Sequence, residues 1–321
     1  MARLFMLLAV LLAAAPLPAR AGGGVLVMNS NEATLSVLDL AGRRELGRIP
    51  VLRQPHHWAL TPDGRDLLVG DTLGNALFVL DPATFAVRRQ IPLSDPYQLG
   101  FSPDGRFLVV NGLSRAQVDV YEPGTYRLIR RFPLRSMPSH LAFAPDGSAV
   151  FVSLQGTGML AAIDLRKMEV AWEKPVGNTP AGVLWLNGRV LVANMGSADV
   201  AVVDPADGRV ERLVPTGKGA HQLFLSPDGK RLYVTNRLDY HSVTVLDPAT
   251  LTVLRRYVVP GGPDDLAFAP DGTVWLTMRL SNKVAVLDPA SGAVEGIPVG
   301  RAPHGIFLNP AATIPAAMAA R

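Results

Sequence analysis

The 321-residue sequence contains no cysteine. This excludes disulfide bridges, thiolate metal ligands and a Cys-x-x-Cys-His haem attachment. It also lacks a Gly-x-Ser-x-Gly nucleophile motif, a His-Glu-x-x-His zinc motif and a phosphate-binding loop. Hydrolase and dehydrogenase activities therefore have no dedicated motif. The formal net charge is only +4, so the composition does not indicate nucleic-acid binding.

The N-terminus has the layout of a secretory signal. Arg3 precedes an apolar run, Leu4 to Ala15, and small residues follow up to Ala19-Arg20-Ala21. The run is too short to span a bilayer and closes in an Ala-x-Ala cleavage site. We predict a signal peptide at residues 1–21, cleavage before Gly22, and a periplasmic or secreted protein. No later segment is long and apolar enough for a membrane span.

The remainder, residues 22–321, carries a repeat of about 41 residues. Six Pro-Asp-Gly or equivalent turns recur at spacings of 41, 42, 41, 41 and 43 residues. They read TPDG at 61, SPDG at 102, APDG at 144, LNG at 186, SPDG at 226 and APDG at 269. A second turn, typified by LDPAT at residue 80, follows each of them. Short β-branched and aromatic runs of strand length lie between the turns.

Two turns in each period delimit four antiparallel strands, A to D, which is typical of a β-propeller blade. A seventh blade assembles from both ends of the chain. Residues from Gly24 supply strands B, C and D, and the segment from Ala302 supplies strand A. We therefore predict one all-β domain, a seven-bladed β-propeller whose last blade is closed by N- and C-terminal strands. The oligomeric state stays open, with a monomer favoured.

The segment LYVTN, Leu232 to Asn236, contains the four letters that name the YVTN-repeat β-propeller family. The turn pattern resembles that family over the whole predicted mature chain. The resemblance implies the fold but no single function, because related propellers include surface proteins, non-enzymatic binders, lactonase-like enzymes and cytochrome cd-type haem domains. The cytochrome haem domain usually has eight blades.

Five of the six histidines occupy one phase of the repeat, the start of strand A. The first position of that phase holds His56, Tyr97, Ser139, Ala181, His221, Asp264 and His304. The next position holds His57, Gln98, His140, Gly182, Gln222, Asp265 and Gly305. Strand A is innermost in a blade, so these side chains should line one mouth of the central channel. His241 lies in a B–C loop at the same end.

Strand B should end at the same face and bring further polar side chains to it. We accordingly predict a funnel face for ligand binding made of His56, His57, Asp71, Tyr97, Gln98, Asn111, His140, Asn194, His221, Gln222, Asn236, Arg237, Asp264, Asp265, Arg279 and His304. A second interpretation is a solvated ring, copied from blade to blade, that serves solvation or partner docking alone.

Three functions follow from this face. The first is an exported binding protein for a small molecule or a protein partner, without catalysis. The second is a redox or cofactor-maturation protein that binds Cu or Zn, or a tetrapyrrole, since imidazole is a common metal ligand. For a bare metal the predicted ligands are His56, His57, Asp71 and His304, with His140 and His221 across a wide funnel. The third is a lactonase-like hydrolase using the Asp264-Asp265 pair.

Overall fold

The computed structural model describes residues 20–238 and 241–315. The predicted signal peptide lies outside the described residues except for the backbone of its last two. No helix long and apolar enough to cross a membrane occurs within the described ranges.

Seven four-stranded antiparallel sheets make up the described chain, as the sequence predicted. The strands of blades 1 to 3, in the order A to D, are Pro55–Leu60, Leu67–Asp71, Ala76–Leu80 and Val87–Pro92; Gln98–Phe101, Leu108–Gly112, Gln117–Tyr121 and Leu128–Pro133; Pro138–Phe143, Ala149–Leu154, Met159–Asp164 and Glu169–Pro175. Those of blades 4 to 6 are Pro180–Leu186, Arg189–Asn194, Asp199–Val203 and Val210–Pro215; Ala220–Leu225, Leu232–Asn236, Ser242–Leu246 and Val253–Val258; Pro263–Phe268, Val274–Met278, Lys283–Leu287 and Val294–Pro298.

Blade 7 joins the two ends of the chain and closes the ring. Its strands A to D are Pro303–Asn309, Gly24–Asn29, Thr34–Asp39 and Arg44–Pro50. A further two-residue pair, Arg20–Ala21 with Thr313–Ile314, lies beside it. Trp58 of blade 1 donates its indole N–H to the backbone oxygen of Ile306 at 2.8 Å, which ties blade 1 to blade 7. Closure removes the open sheet edges that an incomplete ring would expose.

The four strands of a blade differ in how far they are buried. Strands B and C are buried along nearly their whole length, and strand D is mostly exposed. The apolar side chains of neighbouring blades pack against each other in seven clusters, one between each pair of blades. Each fully buried valine or leucine contributes about 1.5–3 kcal/mol, so the contacts between blades hold the ring in a fixed shape.

The Pro-Asp-Gly turns explain why the strands reverse where they do. In the first of them, Gly64 has a φ of 69°, a left-handed conformation that glycine adopts without strain. The Asp63 carboxylate accepts the N–H of Arg65 and the hydroxyl of Thr61. All of these turns connect strands A and B, so they lie on the face opposite the start of strand A.

Candidate functional site

A β-bulge marks the start of strand A in six of the seven blades. In blade 1, Pro55 pairs with Asp71 and Trp58 pairs with Val69, so His56 and His57 together face a single residue of strand B. The bulges of blades 3 to 7 hold Ser139-His140, Ala181-Gly182, His221-Gln222, Asp264-Asp265 and His304-Gly305. A bulge re-aims side chains out of the strict alternation of a strand, and here it brings successive residues of one strand to the channel mouth.

Hydroxyl groups on strand B hold three of these bulges. Ser153, Thr235 and Thr277 stand opposite the bulges of blades 3, 5 and 6 and accept the N–H of the second bulge residue, at 3.1, 3.1 and 2.9 Å. Ser153 and Thr235 also donate to a bulge carbonyl of the next blade, at 2.6 and 2.8 Å. One hydroxyl therefore fixes the positions of two neighbouring bulges.

The five strand-A histidines form one continuous cluster. The rings of His57, His140, His221 and His304 make a closed circuit with centroid separations of 5.1, 5.2, 5.5 and 4.5 Å, and each ring stands nearly perpendicular to the next. His56 lies against His304 at 3.8 Å. Blades 7 and 1 approach closely here, since a Cβ on Gly305 would lie 2.6 Å from the His56 carbonyl oxygen. A glycine is therefore required beside His304.

All five rings are withdrawn from solvent, with exposed fractions of 0 to 4%. Burial lowers the pKa of every one of them, to about 3 for His57. The imidazoles are consequently neutral at pH 7, which is the form that binds a metal ion.

Several ring nitrogens in this cluster have no hydrogen-bond partner in the described chain. They are His56 Nδ1, His57 Nε2, His140 Nε2, His221 Nδ1, His304 Nδ1 and His304 Nε2. The His221 nitrogen lies 2.8 Å from Asp264 Oδ1 and interacts with that carboxylate, so it is the least isolated of the six. A buried polar atom left unpaired costs about 1–3 kcal/mol, so this concentration of them in a well-packed protein points to a ligand.

Two adjacent aspartates complete the cluster, and their pKa values are shifted in opposite directions. Asp264 is fully buried, and although burial opposes its ionisation, His221, Arg237 and Arg279 hold its pKa well below the usual range. The Arg237 and Arg279 nitrogens lie 3.0 and 3.5 Å from its oxygens. Burial and the neighbouring Asp264 charge raise the pKa of Asp265 well above its usual range. Asp264 therefore ionises more readily than Asp265.

Two groups of three side chains could hold a metal ion among the described residues. One is His56, His57 and His304, and the other is His221, Asp264 and His304. Within each group the donor atoms lie within 4.8 Å of one another. Tetrahedral coordination at 2.0–2.1 Å needs separations of about 3.3 Å, so each group would contract modestly around an ion. His304 belongs to both groups.

The structure does not place Asp71 with the histidines, contrary to the predicted metal ligand set. Its carboxylate oxygens accept the backbone N–H groups of Leu52, Arg53, Gln54 and Gly74 at 2.8 to 2.9 Å. An aspartate at the end of strand B therefore organises the loop that leads to His56.

The strand-B asparagines likewise bond within the blades. Asn194 donates to Val176 O and to Asp199, Asn236 donates to the Ser242 backbone and hydroxyl, and Asn111 donates to Ser139 O. Each is fully buried. Their side-chain N–H groups thus hold loops and strands in place, and their place on a ligand-binding face stays a prediction.

The remaining predicted residues surround the histidines. The Tyr97 ring lies 4.0 Å from His56, and burial raises its pKa to about 12. Gln98 accepts the N–H of Leu141 at 2.6 Å, and Gln222 hydrogen-bonds to Asp265. Outside the cluster, His241 accepts the N–H of Gly261 through Nδ1.

Two expectations about the shape of the site were wrong. The funnel is not wide, because His140 and His221 lie against the other rings rather than across an opening. The ring is also not solvated, because the histidines are buried. A tetrapyrrole would have to lie above the cluster, since the ring separations leave no space for it between the histidines.

The β-bulges were not predicted from the sequence, although the Ser or Thr opposite each of three bulges was a visible signal.

The sequence matches one family over nearly its full length. The model of the YNCE-like beta-propeller family matches residues 6–313. No curated protein matches the sequence.

Solved structures show the same fold at low sequence identity. A functionally unknown protein from Desulfotomaculum acetoxidans is 15% identical, with a TM-score of 0.76 over 89% of this chain and 98% of that one. The periplasmic gluconolactonase PpgL of Pseudomonas aeruginosa is 22% identical, with a TM-score of 0.71 over 89% and 98%. The dihydro-heme d1 dehydrogenase NirN in complex with DHE is 16% identical, with a TM-score of 0.67 over 92% and 77%.

Proposed function

The chain belongs to the YNCE-like β-propeller family, and from that premise we propose that it is a metal-binding propeller which holds a transition-metal ion in the buried histidine cluster. The observation that carries this proposal is the set of neutral, buried imidazoles whose ring nitrogens have no protein partner. A metal ion satisfies several such nitrogens at once, which no single side chain could do.

The donor set favours Zn²⁺ or Cu²⁺. Imidazole nitrogen with one carboxylate oxygen suits these ions, and the hard ions Mg²⁺ and Ca²⁺ prefer oxygen alone. His304 is the central ligand, since it is shared by the two groups of three donors. The ion would lie where blade 7 meets blade 1 or, through His221 and Asp264, toward blades 5 and 6.

The other two functions are less well supported. A lactonase-like hydrolase would need Asp264 to reach a sugar lactone, but this carboxylate is enclosed by His221, Arg237 and Arg279. A binding protein that uses the face only for docking leaves the buried nitrogens unexplained.

Metal analysis of the purified protein tests the proposal. Wild type is stripped with a chelator, reloaded with Zn²⁺ or Cu²⁺ at pH 7.5, desalted and analysed for metal by mass spectrometry. We expect one or two ions per chain, and a loss of at least one of them in His304→Ala.

His241→Ala is the matched control, because His241 lies on the same face outside the cluster. It should bind as much metal as wild type. Equal metal content in His304→Ala and wild type, or none in wild type, would refute the proposal. Comparing His56→Ala with His221→Ala then assigns the ion to one group of donors or the other.

We also propose that the protein is exported and that the signal is removed before Gly22. Support comes from the sequence alone. Cleavage there would remove Arg20–Ala21, which pairs only with Thr313–Ile314, and would leave the seven blades intact. Amino-terminal sequencing of the protein from a periplasmic extract should start at Gly22. A chain that keeps Met1 and stays in the cytoplasm would contradict it.

A further inference from the structure

We infer that Arg237 and Arg279 form a binding site for a small oxyanion at the solvent side of the histidine cluster. The oxyanion is a carboxylate or a tetrahedral anion such as phosphate, either free or at the end of a larger molecule. The inference deepens the proposed function and rests on it in part, because a metal ion bound by Asp264 would release both arginines from that carboxylate.

The two arginines occupy the same position in neighbouring blades. Each directly follows strand B, after Asn236 in blade 5 and after Met278 in blade 6. The other five blades hold Ser30, Thr72, Gly112, Gln155 and Met195 at the equivalent position. The Arg237 and Arg279 guanidinium groups both reach the same buried carboxylate, that of Asp264.

Most of their hydrogen-bonding capacity is unused. Arg237 contacts Asp264 through one nitrogen and the Met195 sulfur through another, and Arg279 contacts only Asp264, at 3.5 Å. A guanidinium has five N–H donors in a rigid fork that matches carboxylate and phosphate oxygens. At least three donors on each arginine therefore have no acceptor in the described chain.

These arginines are also the accessible part of the site. Their side chains are 22% and 23% exposed, and Asp264 is 0% exposed. An anion arriving from solvent would meet the guanidinium groups first. Two positive charges here face one ionised carboxylate, and a divalent cation in the cluster would add to the positive excess. A second anion would offset it.

The loops around this mouth have the charge that would attract such an ion. By sequence, the D–A and B–C loops contain seven basic residues, Arg53, Arg115, Arg135, Lys218, Arg237, Arg279 and Arg301. They contain three acidic residues, Glu32, Asp95 and Asp239. Asp95 is buried against the Arg115 N–H, and Glu32 pairs with Arg48. A surface with a net positive charge raises the local concentration of anions.

Calorimetric titration with acetate and with sulfate tests the inference. Acetate represents carboxylates and sulfate represents tetrahedral anions, so the two arms distinguish the sources. Each is titrated into zinc-loaded and metal-free protein in a chloride-free, non-coordinating buffer. We expect at least one of them to bind wild type, more tightly with zinc present, and the better ligand identifies the class of oxyanion.

Arg237→Gln and Arg279→Gln should each weaken that binding about 10-fold or more, the effect of losing a charge-assisted hydrogen bond. Arg279→Lys should restore part of it. Arg115→Gln is the matched control, since it removes the same charge from the same face, and it should bind as wild type does. Thermal melting of all four variants verifies folding.

Binding of neither ion to zinc-loaded protein, or an equal loss in Arg115→Gln, would overturn the inference. Because coupling is reciprocal, the anion must also raise zinc affinity by the same factor by which zinc raises anion affinity. Zinc binding that is lost in His304→Ala but insensitive to both anions would leave the metal site standing and remove the oxyanion site. Anion binding without any zinc binding would leave the oxyanion site standing and remove the metal site.

Discussion

Replacing His304 by phenylalanine should stabilise the metal-free protein while it abolishes the metal site. His304 is 1% exposed and both of its ring nitrogens lack a hydrogen-bond partner. The nearest carboxylate oxygens, on Asp264 and Asp265, lie 3.5 and 3.8 Å away. Phenylalanine preserves the ring that packs against His56 and His57 and removes both unpaired nitrogens.

The size of the effect follows from two opposing terms. Each buried unpaired nitrogen costs about 1–3 kcal/mol, so removing two gives a gain of about 2–6 kcal/mol. The slightly larger phenyl ring costs about 1–3 kcal/mol through overpacking. The net expectation is a gain of about 1–3 kcal/mol in the free energy of unfolding, equivalent to a rise of at least about 2 °C in melting temperature.

Urea unfolding in the presence of a chelator and then of zinc measures this change. With chelator, His304→Phe should unfold at a higher urea concentration than wild type. With zinc at about 100 times the dissociation constant, wild type should gain about 2.7 kcal/mol and the variant should lose most of that gain. His241→Phe should behave as wild type in both conditions. A variant that is less stable than wild type with chelator, yet stabilised equally by zinc, would refute the reasoning.

Three more predictions concern stability. Burial lowers the histidine pKa values, to about 3 for His57. The folded state therefore binds fewer protons than the unfolded state once the pH falls below about 6.5. The free energy of unfolding is at its full value above that pH and drops by up to about 1.4 kcal/mol per pH unit per histidine below it. Urea midpoints at pH 7.5, 6 and 5 should fall steeply, and a flat profile would contradict the assigned burial. Arg131→Met should lower the free energy of unfolding in urea by about 2 kcal/mol, because Asp119 is 1% exposed and loses two hydrogen bonds of 2.8 Å. The 44% exposure of Arg131 keeps this loss below that of a fully buried ion pair. An equal loss in the Asp119→Asn background would argue against this reason. Trp58→Phe should cost about 1–2 kcal/mol by leaving the Ile306 carbonyl unpaired, and an unchanged melting temperature would show that this tie between blades contributes nothing.

The fold could be predicted from the sequence because its turn motifs repeat at a regular spacing. A Pro-Asp-Gly turn such as the one ending at Gly64 needs a residue that tolerates positive φ, and the same need recurs in blades 1 to 6. Six copies of one turn make the period visible even where the strands themselves vary. The seventh blade followed because an incomplete ring would leave strand edges exposed.

The site was only partly predictable, because its geometry depends on contacts between blades. The position of the histidines at the start of strand A follows from the repeat, and the grouping of His56, His57 and His304 was predicted. The reach of His140 into the same cluster was not, since it depends on how tightly the bulged strands approach one another. The contacts of Asp71 were not predicted either, because a carboxylate at a strand end satisfies loop N–H groups as readily as it binds a ligand.

X-ray absorption spectroscopy of the zinc-loaded protein tests the central claim most directly. If the buried cluster holds the ion, the spectrum should show a first shell at about 2.0–2.1 Å dominated by nitrogen, with the outer-shell scattering of at least two imidazole rings. His304→Ala should lose that pattern and His241→Ala should keep it. An oxygen-only shell without imidazole scattering in wild type, or a spectrum unchanged by His304→Ala, would contradict the claim.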